Sequence, residues 1–302
     1  MTKILYIAGY GRSGSTVLNI ILGNHSSITS VGELSFLPED WTNHHRVCSC
    51  GAPYHACEFW KDLDLDQPPN PQLIQLLRKM EKLSFVPRIL LGLVKDKDSQ
   101  AYRAYQEKLF AYAASRAESA VVVDSSKSAR DTVGRFLALR RLARQDVYVL
   151  HLVRNGLATM ESLLVTGSNW AIEGHVQTSK WAGLRAAFGW VGANVWTALL
   201  GRMLGPRRYL VLRYEDFLAD PSKALRALSR LCGFEAEELI ERINRDEWFS
   251  TGHLIGGNRV RFQGKIRLEK HSQRRYGDRL KPWHRFLFAI AGGGLNRYYG
   301  YE

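Results

Sequence analysis

Gly9-Tyr10-Gly11-Arg12-Ser13-Gly14-Ser15-Thr16 is the stretch that decides the fold of this chain of 302 residues. An apolar run, residues 4–8, comes directly before it, and a helical-looking apolar run, residues 17–22, comes directly after it. Glycines between a strand and a helix let successive backbone N–H groups point inward, and the helix N-terminus adds partial positive charge. This stretch, called the glycine loop (residues 9–16) below, is therefore predicted to be a phosphate cradle.

The glycine loop differs from the P-loop of nucleoside-triphosphate-binding proteins at one position. The spacing of its glycines matches, but Ser15 stands where a P-loop has the lysine that reaches the β- and γ-phosphates. Arg12 puts a planar, bidentate cation inside the loop instead. Because a buried arginine is costly without a paired anion, Arg12 is predicted to bind an oxyanion that is not part of a magnesium-bridged triphosphate.

The rest of the chain alternates short apolar runs with longer helical stretches, a pattern typical of βαβ units and a parallel sheet. The predicted strands are residues 4–8, 120–123, 147–153 and 209–212. Each of them ends in polar or glycine residues, and open α/β sheets bind ligands at the carboxyl ends of their strands. The sequence therefore predicts an α/β fold whose function lies in these four loops.

Composition limits the classes of protein and partner. With 45% hydrophobic residues, 24% charged residues and 9 prolines, the chain is neither disordered nor collagen-like. Its net charge of +13 favours an anionic partner, which includes a phosphorylated ligand, nucleic acid or an acidic membrane surface. The first apolar run is too short for a signal peptide, and few cysteines argue against a secreted disulfide framework. A cytoplasmic, reduced protein is predicted.

Two regions interrupt the alternating pattern. An insertion at about residues 38–118 is predicted to shape the acceptor site, with helix from about residue 72 to residue 118. Its apolar stretch, residues 83–94, is predicted to be a core helix kinked at Pro87, and contact with a lipid or an apolar acceptor is the less favoured interpretation. The second region is a basic, glycine-containing loop at about residues 253–285, which is expected to wrap an anion.

A second motif supports an assignment to a family. The predicted strand 147–153 is followed by Arg154-Asn155-Gly156 and by a helix that contains Ser162. Together with the glycine loop, this motif resembles the sulfotransferases that use 3′-phosphoadenosine 5′-phosphosulfate. Residues 12–16 resemble the family's 5′-phosphosulfate loop, whereas Arg154 and Ser162 resemble its 3′-phosphate site. Both motifs in the right order, each on a strand–loop–helix junction, argue against a chance match.

Further matches extend the resemblance over nearly the whole chain. They are residues 31–34, 48–51, 57–60, 124–127, 213–216 and 257–262. They are most similar to a bacterial branch that also resembles the tyrosylprotein sulfotransferases, whereas the cytosolic arylamine and steroid branch has a lysine at the position of Arg12. The resemblance implies one domain over residues 1–302, with a P-loop-like three-layer αβα fold, a central parallel sheet and helical insertions.

The resemblance also implies roles for individual residues. Glu33 is interpreted as the general base, although a surface carboxylate paired with an arginine is the alternative, and Glu39 lacks the motif. Lys127 resembles the family's transition-state lysine, against the alternative of a solvated lysine beside a helix. Ser125 and Ser126 are given supporting roles as caps of the following helix. The residues implied to bind the donor are Gly11, Arg12, Ser13, Gly14, Ser15, Thr16, Arg154, Ser162, Asn258, Arg259 and Arg261.

The implied function is transfer of a sulfuryl group from 3′-phosphoadenosine 5′-phosphosulfate to a hydroxyl acceptor, in line and with no metal required. A small molecule, a carbohydrate, a lipid and a peptide tyrosine all remain open as the acceptor, as do the oligomeric state and peripheral membrane contact. Trp170, Trp181, Trp190 and Trp196 are candidates for an acceptor channel, but tryptophans at such spacing are more often core residues. No nucleic-acid motif is present, so nucleic acid is not an expected partner.

Two other functions remain as alternatives. The glycine loop and residues 121–124 suggest a P-loop kinase or NTPase that uses Mg-ATP, in which Asp124 is a Walker-B magnesium ligand. This interpretation is incomplete without the P-loop lysine. The net charge of +13 and the basic loop suggest a nucleic-acid or membrane-surface binder, whose affinity collapses with salt.

The cysteines raise a separate question. Cys48, Cys50 and Cys57 could share a zinc ion with His44, His45 or His55, but Cys-x-Cys is tighter than the usual ligand spacing. Structural packing or a disulfide is therefore favoured over zinc, and no metal is predicted. Cys232 is predicted to be a small core residue, and His151, inside an apolar strand, a hydrogen-bonded core histidine.

Overall fold

A five-stranded parallel sheet is the centre of the fold. The computed structural model describes residues 2–41, 46–63, 70–116, 119–128, 132–166, 181–269 and 276–301. The strands are β1 (Lys3–Ala8), β2 (Ile28–Gly32), β3 (Val121–Asp124), β4 (Asp146–Val153) and β5 (Tyr209–Arg213). Their order is β2-β3-β1-β4-β5, and every neighbouring pair is parallel. All five carboxyl ends therefore lie at one edge of the sheet, with β1 in the middle.

Helices cover both faces of this sheet. In chain order they are α1 (Ser15–Leu22), α2 (Leu37–Asp40), α3 (Pro71–Glu81), α4 (Val86–Leu90), α5 (Asp96–Ser115), α6 (Arg135–Arg141), α7 (Gly156–Glu161), α8 (Ala182–Arg202), α9 (Tyr214–Ala219), α10 (Pro221–Cys232), α11 (Glu237–Asn244) and α12 (Pro282–Tyr298). A short antiparallel pair, β6 (Phe249–Ser250) and β7 (Lys265–Ile266), lies outside the main sheet.

Alternation along β1 separates two hydrophobic cores. Ile4 and Tyr6 pack in the core that holds α3, α5 and α6, whereas Leu5 and Ile7 pack in the core that holds α1, α10 and α11. Successive side chains of a strand point to opposite faces, so a central strand with a layer of helices on each face has to be apolar throughout. The predicted α/β fold with a central parallel sheet is confirmed.

The structure adds one strand to the main sheet, besides the short pair β6 and β7, which was not predicted either. The four predicted strands are present with ends that agree within one residue, but β2 lies at the sheet edge and was not predicted. Its sequence, Ile-Thr-Ser-Val-Gly, contains two large apolar residues, too few to produce a strand signal. This strand matters for function because Glu33 follows directly after it.

The expected helical insertion is broken into separate pieces. Instead of one kinked core helix over residues 83–94, a 3-10 turn (Leu83–Phe85) leads into the five-residue helix α4. Pro87 lies in the first turn of α4, where a proline starts a helix rather than kinking it, and Gly92 (φ +68°) follows its end. Leu91 and Leu93 are 70% and 67% exposed, so the prediction of a core helix is wrong here.

The core interpretation of His151 and Cys232 is confirmed. Both side chains are fully buried. The His151 ring lies between the Tyr209 hydroxyl (2.8 Å) and Asn194 Oδ1 (2.9 Å), and burial lowers the pKa of His151 to about 4. The imidazole is therefore neutral at pH 7, and both of its nitrogens have partners.

Within the part of the chain that the structure describes, no helix has the length and apolar character needed to cross a membrane. The cytoplasmic location and the single domain over residues 1–302 stay predictions.

Candidate active site

The carboxyl edge of the sheet brings together one polar or aromatic residue from the end of each strand. These residues are Arg12 after β1, Glu33 after β2, Lys127 after β3, Arg154 after β4 and Tyr214 after β5. The connection after β1 leads to the α1 face, whereas α6 and α8, which follow β3 and β4, have residues in the core of the opposite face. Connections that leave toward opposite faces open a crevice at the carboxyl edge.

The glycine loop has the tight geometry that its sequence predicts. Gly14 caps α1 with φ +90°, and a Cβ at Gly14 would overlap the ring of Tyr214. Ser13 Oγ donates to the Tyr10 carbonyl (2.8 Å). Arg12 is half-buried and adopts φ +69°, a left-handed conformation that costs a non-glycine residue energy. The loop is held in a strained shape at the N-terminus of a helix, as in known phosphate cradles.

Arg154 joins the two sequence motifs. Its Nη1 donates to the Arg12 carbonyl (2.9 Å), and its guanidinium lies 5.4 Å from the centre of the Tyr214 ring. Ser162 ends α7, the helix that follows Arg154, and the chain continues from there as a π-helical turn (Ser162–Thr166). Turns of this kind inside helices are frequent at functional sites. The predicted 3′-phosphate turn therefore lies against the predicted 5′-phosphosulfate loop.

The turn after β4 is held by residues to which the sequence assigned no role. Asn155 caps α7 by accepting from Leu157 N (2.9 Å), and its own N–H donates to Glu215 Oε1 (3.1 Å). The Tyr301 hydroxyl donates to Glu215 Oε2 (2.6 Å). Burial, followed by the Glu215 charge, raises the pKa of Tyr301, so the phenol keeps its proton and remains a donor.

Glu33 and Lys127, the two predicted catalytic residues, form an ion pair. Glu33 is 8% exposed and its partner is a lysine, unlike the surface carboxylate paired with an arginine that was the alternative. Lys127 has φ +65°, and its N–H donates to the Ile7 carbonyl (3.2 Å), while the Tyr6 hydroxyl donates to the Lys127 carbonyl. The loop after β3 is therefore fixed across the end of β1.

Residues 249–258, called the return segment below, close one side of this pair. Glu33 N donates to the Ile255 carbonyl (2.6 Å), and Asn258 N donates to Thr16 Oγ1 (3.0 Å). A Cβ at Gly257 would lie 3.0 Å from Thr16 Oγ1 and 3.8 Å from Glu33 Oε1. The carboxylate and the glycine loop are thus neighbours, and a side chain at position 257 would crowd Thr16 and strain a backbone with φ +97°.

The three predicted residues of the basic loop do not converge. Asn258 contacts the glycine loop, whereas Arg259 is exposed. Arg261 is buried, donates to the Val47 carbonyl (3.4 Å) and lies 4.4 Å from the Phe262 ring centre. Its side chain therefore contacts the insertion. A role of Arg259 and Arg261 at the 3′-phosphate stays a prediction.

Asp124 belongs to a buried ionic cluster. Its Oδ1 accepts from Ser126 N (2.9 Å), and its Oδ2 accepts from Arg135 Nε (3.0 Å). Arg135 also pairs with Glu81, and all three side chains are buried. Since both oxygens of Asp124 are used inside the fold, the carboxylate does not match a Walker-B magnesium ligand. Ser126 Oγ accepts from Ser35 N (3.0 Å), a contact on the Glu33 loop and not the helix cap that was expected.

The predicted tryptophans do not form a common wall. Trp190 is 1% exposed and donates to the Arg154 carbonyl (3.1 Å), so it is a core residue that supports the turn after β4. Trp181 and Trp196 are exposed, and Trp170 lies outside the described residues. An acceptor channel built from these residues stays a prediction.

Comparisons with known proteins show the family of this chain. The profile of the sulfotransferase family matches residues 5–238. A search of curated proteins gave no match.

Three solved structures with similar folds are sulfotransferases by their descriptions. The sulfotransferase domain of the Synechococcus PCC 7002 olefin synthase is 21% identical with a TM-score of 0.49, over 100% of this chain and 95% of that chain. The sulfotransferase domain from the curacin biosynthetic pathway is 21% identical with a TM-score of 0.49. The match covers 100% of this chain and 99% of that chain. A sulfotransferase from Mycobacterium avium is 14% identical with a TM-score of 0.48. The match covers 81% of this chain and 68% of that chain. Because the family profile covers most of the chain, including the strand ends that carry Arg12, Glu33, Lys127 and Arg154, this protein belongs to the sulfotransferase family.

Proposed function

We propose that this protein transfers a sulfuryl group from 3′-phosphoadenosine 5′-phosphosulfate to a hydroxyl acceptor. The observation that carries the proposal is the Glu33–Lys127 ion pair beside a loop whose Arg12 carbonyl is held by Arg154. A carboxylate, an ammonium group and two guanidinium groups at one edge match the needs of this reaction: a proton acceptor, and cations where charge gathers on a leaving phosphate.

The residues that would bind the sulfuryl donor are inferred from the hydrogen-bonding and cationic groups at this edge. Residues 9–16 offer hydroxyls, backbone N–H groups at a helix N-terminus and the Arg12 guanidinium, a set that suits an oxyanion. Arg154 and Ser162 would bind the 3′-phosphate, with Arg154 held over Tyr214. The bound donor supplies the electrophilic sulfuryl group and a bisphosphate leaving group.

The catalytic roles divide between the members of the ion pair. Glu33, with its backbone held by Ile255, would accept the proton of the acceptor hydroxyl during attack. Lys127, with its carbonyl held by Tyr6, would donate a hydrogen bond to the bridging oxygen as it gains charge. Pairing in the absence of substrates keeps both side chains positioned. No second function is proposed, since Asp124 is engaged by Arg135.

Calorimetric titration with adenosine 3′,5′-bisphosphate, with and without magnesium, tests the donor site. Wild type should bind equally well with and without the metal. Arg12→Ala and Arg154→Ala should each weaken binding at least about tenfold, since each removes a charge-assisted contact worth about 1.5–3 kcal/mol. Arg245→Ala is the matched control, because Arg245 is an exposed arginine paired with Glu241 on α11. Binding of ATP alone, and only with magnesium, would overturn the proposal.

A further inference from the structure

Three cysteines and a distant histidine meet beside the return segment. The ligand atoms of Cys48, Cys50, Cys57 and His253 all lie within 4.8 Å of one another. The cysteines come from the insertion and His253 from the return segment, 196 residues beyond Cys57. None of the four takes part in the proposed sulfuryl transfer.

The spacing of these atoms fits a tetrahedral metal. Cys50 Sγ and Cys57 Sγ are 3.7 Å apart. His253 Nδ1 is 3.2 Å from Cys57 Sγ and 3.8 Å from Cys48 Sγ. Zinc–sulfur bonds of about 2.3 Å and zinc–nitrogen bonds of about 2.0–2.1 Å give tetrahedral edges of about 3.7 Å between sulfurs and about 3.5 Å between sulfur and nitrogen. The observed distances lie around these values and are far longer than a disulfide bond of about 2.05 Å.

Backbone hydrogen bonds hold the segments that carry the three cysteines. Cys48 N donates to the Ala52 carbonyl (2.9 Å), and Trp60 N and Lys61 N donate to the Cys57 carbonyl (3.0 and 2.8 Å). Gly51, with φ +88°, closes the turn after Cys50, and its N–H donates to the Cys48 carbonyl (2.9 Å). These backbone hydrogen bonds fix the positions of the cysteines beside His253.

Hydrogen bonds and a ring contact hold His253 in place. Its carbonyl accepts from Trp60 Nε1 (3.0 Å), and its ring stacks on Phe59 with centroids 5.7 Å apart. The residues on either side of it are tied to Ser49, whose Oγ donates to the Gly252 carbonyl (2.6 Å) and accepts from Leu254 N (2.7 Å). These contacts turn Nδ1 toward the sulfurs.

We propose that Cys48, Cys50, Cys57 and His253 form a structural zinc site that fastens the insertion to the return segment. Three thiolates and one imidazole are a recognised structural zinc set, with all four positions filled by protein. Each thiol gives up its proton as its bond to zinc forms. The site fixes the segment that contacts Glu33 and Thr16, so it supports the active edge without touching the reacting atoms.

Elemental analysis of the purified, reduced, full-length protein tests this site. We expect one zinc per chain after dialysis against buffer without chelator. Replacement by Co²⁺ should give thiolate-to-cobalt charge-transfer absorption and the visible bands of a tetrahedral ion. Cys50→Ser and His253→Gln should each weaken zinc binding by more than about tenfold, since even changes around a metal's ligands cost about 10–100-fold.

His55→Gln and Cys232→Ser are the matched controls, since neither residue belongs to the cluster, and both should keep the zinc. The cobalt spectrum of wild type decides the question even if a cysteine variant does not fold. Reduced wild type that takes up neither Zn²⁺ nor Co²⁺ overturns the proposal, as does a Cys50–Cys57 disulfide in protein purified under reducing conditions. Zinc kept by His253→Gln and lost from His55→Gln would overturn the choice of the fourth ligand. This test uses no donor or acceptor, so its outcome is independent of the proposed sulfuryl transfer.

Discussion

Two sets of charged side chains lie at the end of β3. They differ in burial, and therefore in the roles that they can take. The side chains of Glu33 and Lys127 are 10% and 13% exposed, and among the described residues neither forms a second ion pair. The Arg135 cluster, formed by Arg135, Asp124 and Glu81, is sealed, with side-chain exposures between 0% and 5%. Asp124 and Lys127 are only three residues apart, so sequence position alone does not separate the two groups.

The comparison shows how accessibility separates the ion pair proposed to be catalytic from a structural cluster. A buried charge is tolerated only when its hydrogen bonds are made inside the protein, which leaves none for a substrate. In the Arg135 cluster, Tyr102 also donates to Glu81 (3.0 Å), and burial raises the pKa of Glu81 although Arg135 opposes it. The Glu33–Lys127 pair is instead covered on one side by glycines of the return segment, and its side chains retain access to solvent.

The largest expected effect is on catalysis, from Glu33→Gln. Loss of a general base should lower the rate of sulfuryl transfer by about 10²–10⁴-fold. Transfer from radiolabelled donor to a panel of phenolic, sugar and lipid alcohols measures the rate. Affinity for adenosine 3′,5′-bisphosphate should stay within about twofold of wild type, because Gln keeps the size of the side chain and the donor contacts lie in the glycine loop.

Glu39→Gln is the control for this prediction, since Glu39 pairs with Arg78 outside the edge. Equal rates for Glu33→Gln and Glu39→Gln would contradict the assignment of Glu33 as the base.

The next effect is on stability, from Arg135→Met. Removing the Arg135 guanidinium leaves the Asp124 and Glu81 carboxylates buried without their cationic partner. Such a loss typically lowers the free energy of unfolding by about 3–5 kcal/mol. Denaturant titration followed by circular dichroism measures the change. Arg245→Met, which breaks an exposed ion pair on α11, should leave stability within error. Equal stability of the two variants would show that the Arg135 cluster does not stabilise the fold.

The smallest effect comes from His151, a buried group that is kept neutral. Because burial holds its folded-state pKa near 4, below the ordinary value for histidine, the unfolded chain binds more protons between the two values. The stabilisation is complete above the ordinary pKa and is lost as the pH falls toward 4. Between pH 7 and pH 5, wild type should lose about 2 kcal/mol more stability than His151→Gln.

Unfolding free energies at the two pH values measure this difference, and other titrating groups cancel in the comparison. Identical losses in the two proteins would mean that His151 does not titrate as an isolated buried group.

Local sequence was sufficient for the central strands and the glycine loop. Apolar runs of β1, β3 and β4 are buried on both faces, so each produces a signal within a few residues. The loop signal is equally local, because strand, glycines and helix are contiguous. The edge strand β2 was missed because Thr29 and Ser30 interrupt its apolar pattern.

Contacts between distant segments explain the rest of the candidate site. Resemblance to a family identified Glu33 and Lys127, but their pairing depends on β2 and β3 being neighbours. Gly257 and Asn258 reach Thr16 from more than 240 positions away, a distance that no local pattern spans. The resemblance to the family also implied a donor-binding role for Arg261, yet its side chain contacts Val47 in the insertion.

The sequence by itself therefore determined the central strands, the glycine loop and the family, because these depend on hydrophobic periodicity and on contiguous motifs. Only the tertiary structure decided which charges meet. It joined Asp124 to Arg135 and not to a ligand, and it brought His253 to the three cysteines, whereas the sequence pointed to the nearer His44, His45 and His55. The first two of those histidines lie outside the described residues. The physical reason is that metal ligands and ion pairs are selected by distance in space, which chain folding sets independently of separation along the sequence.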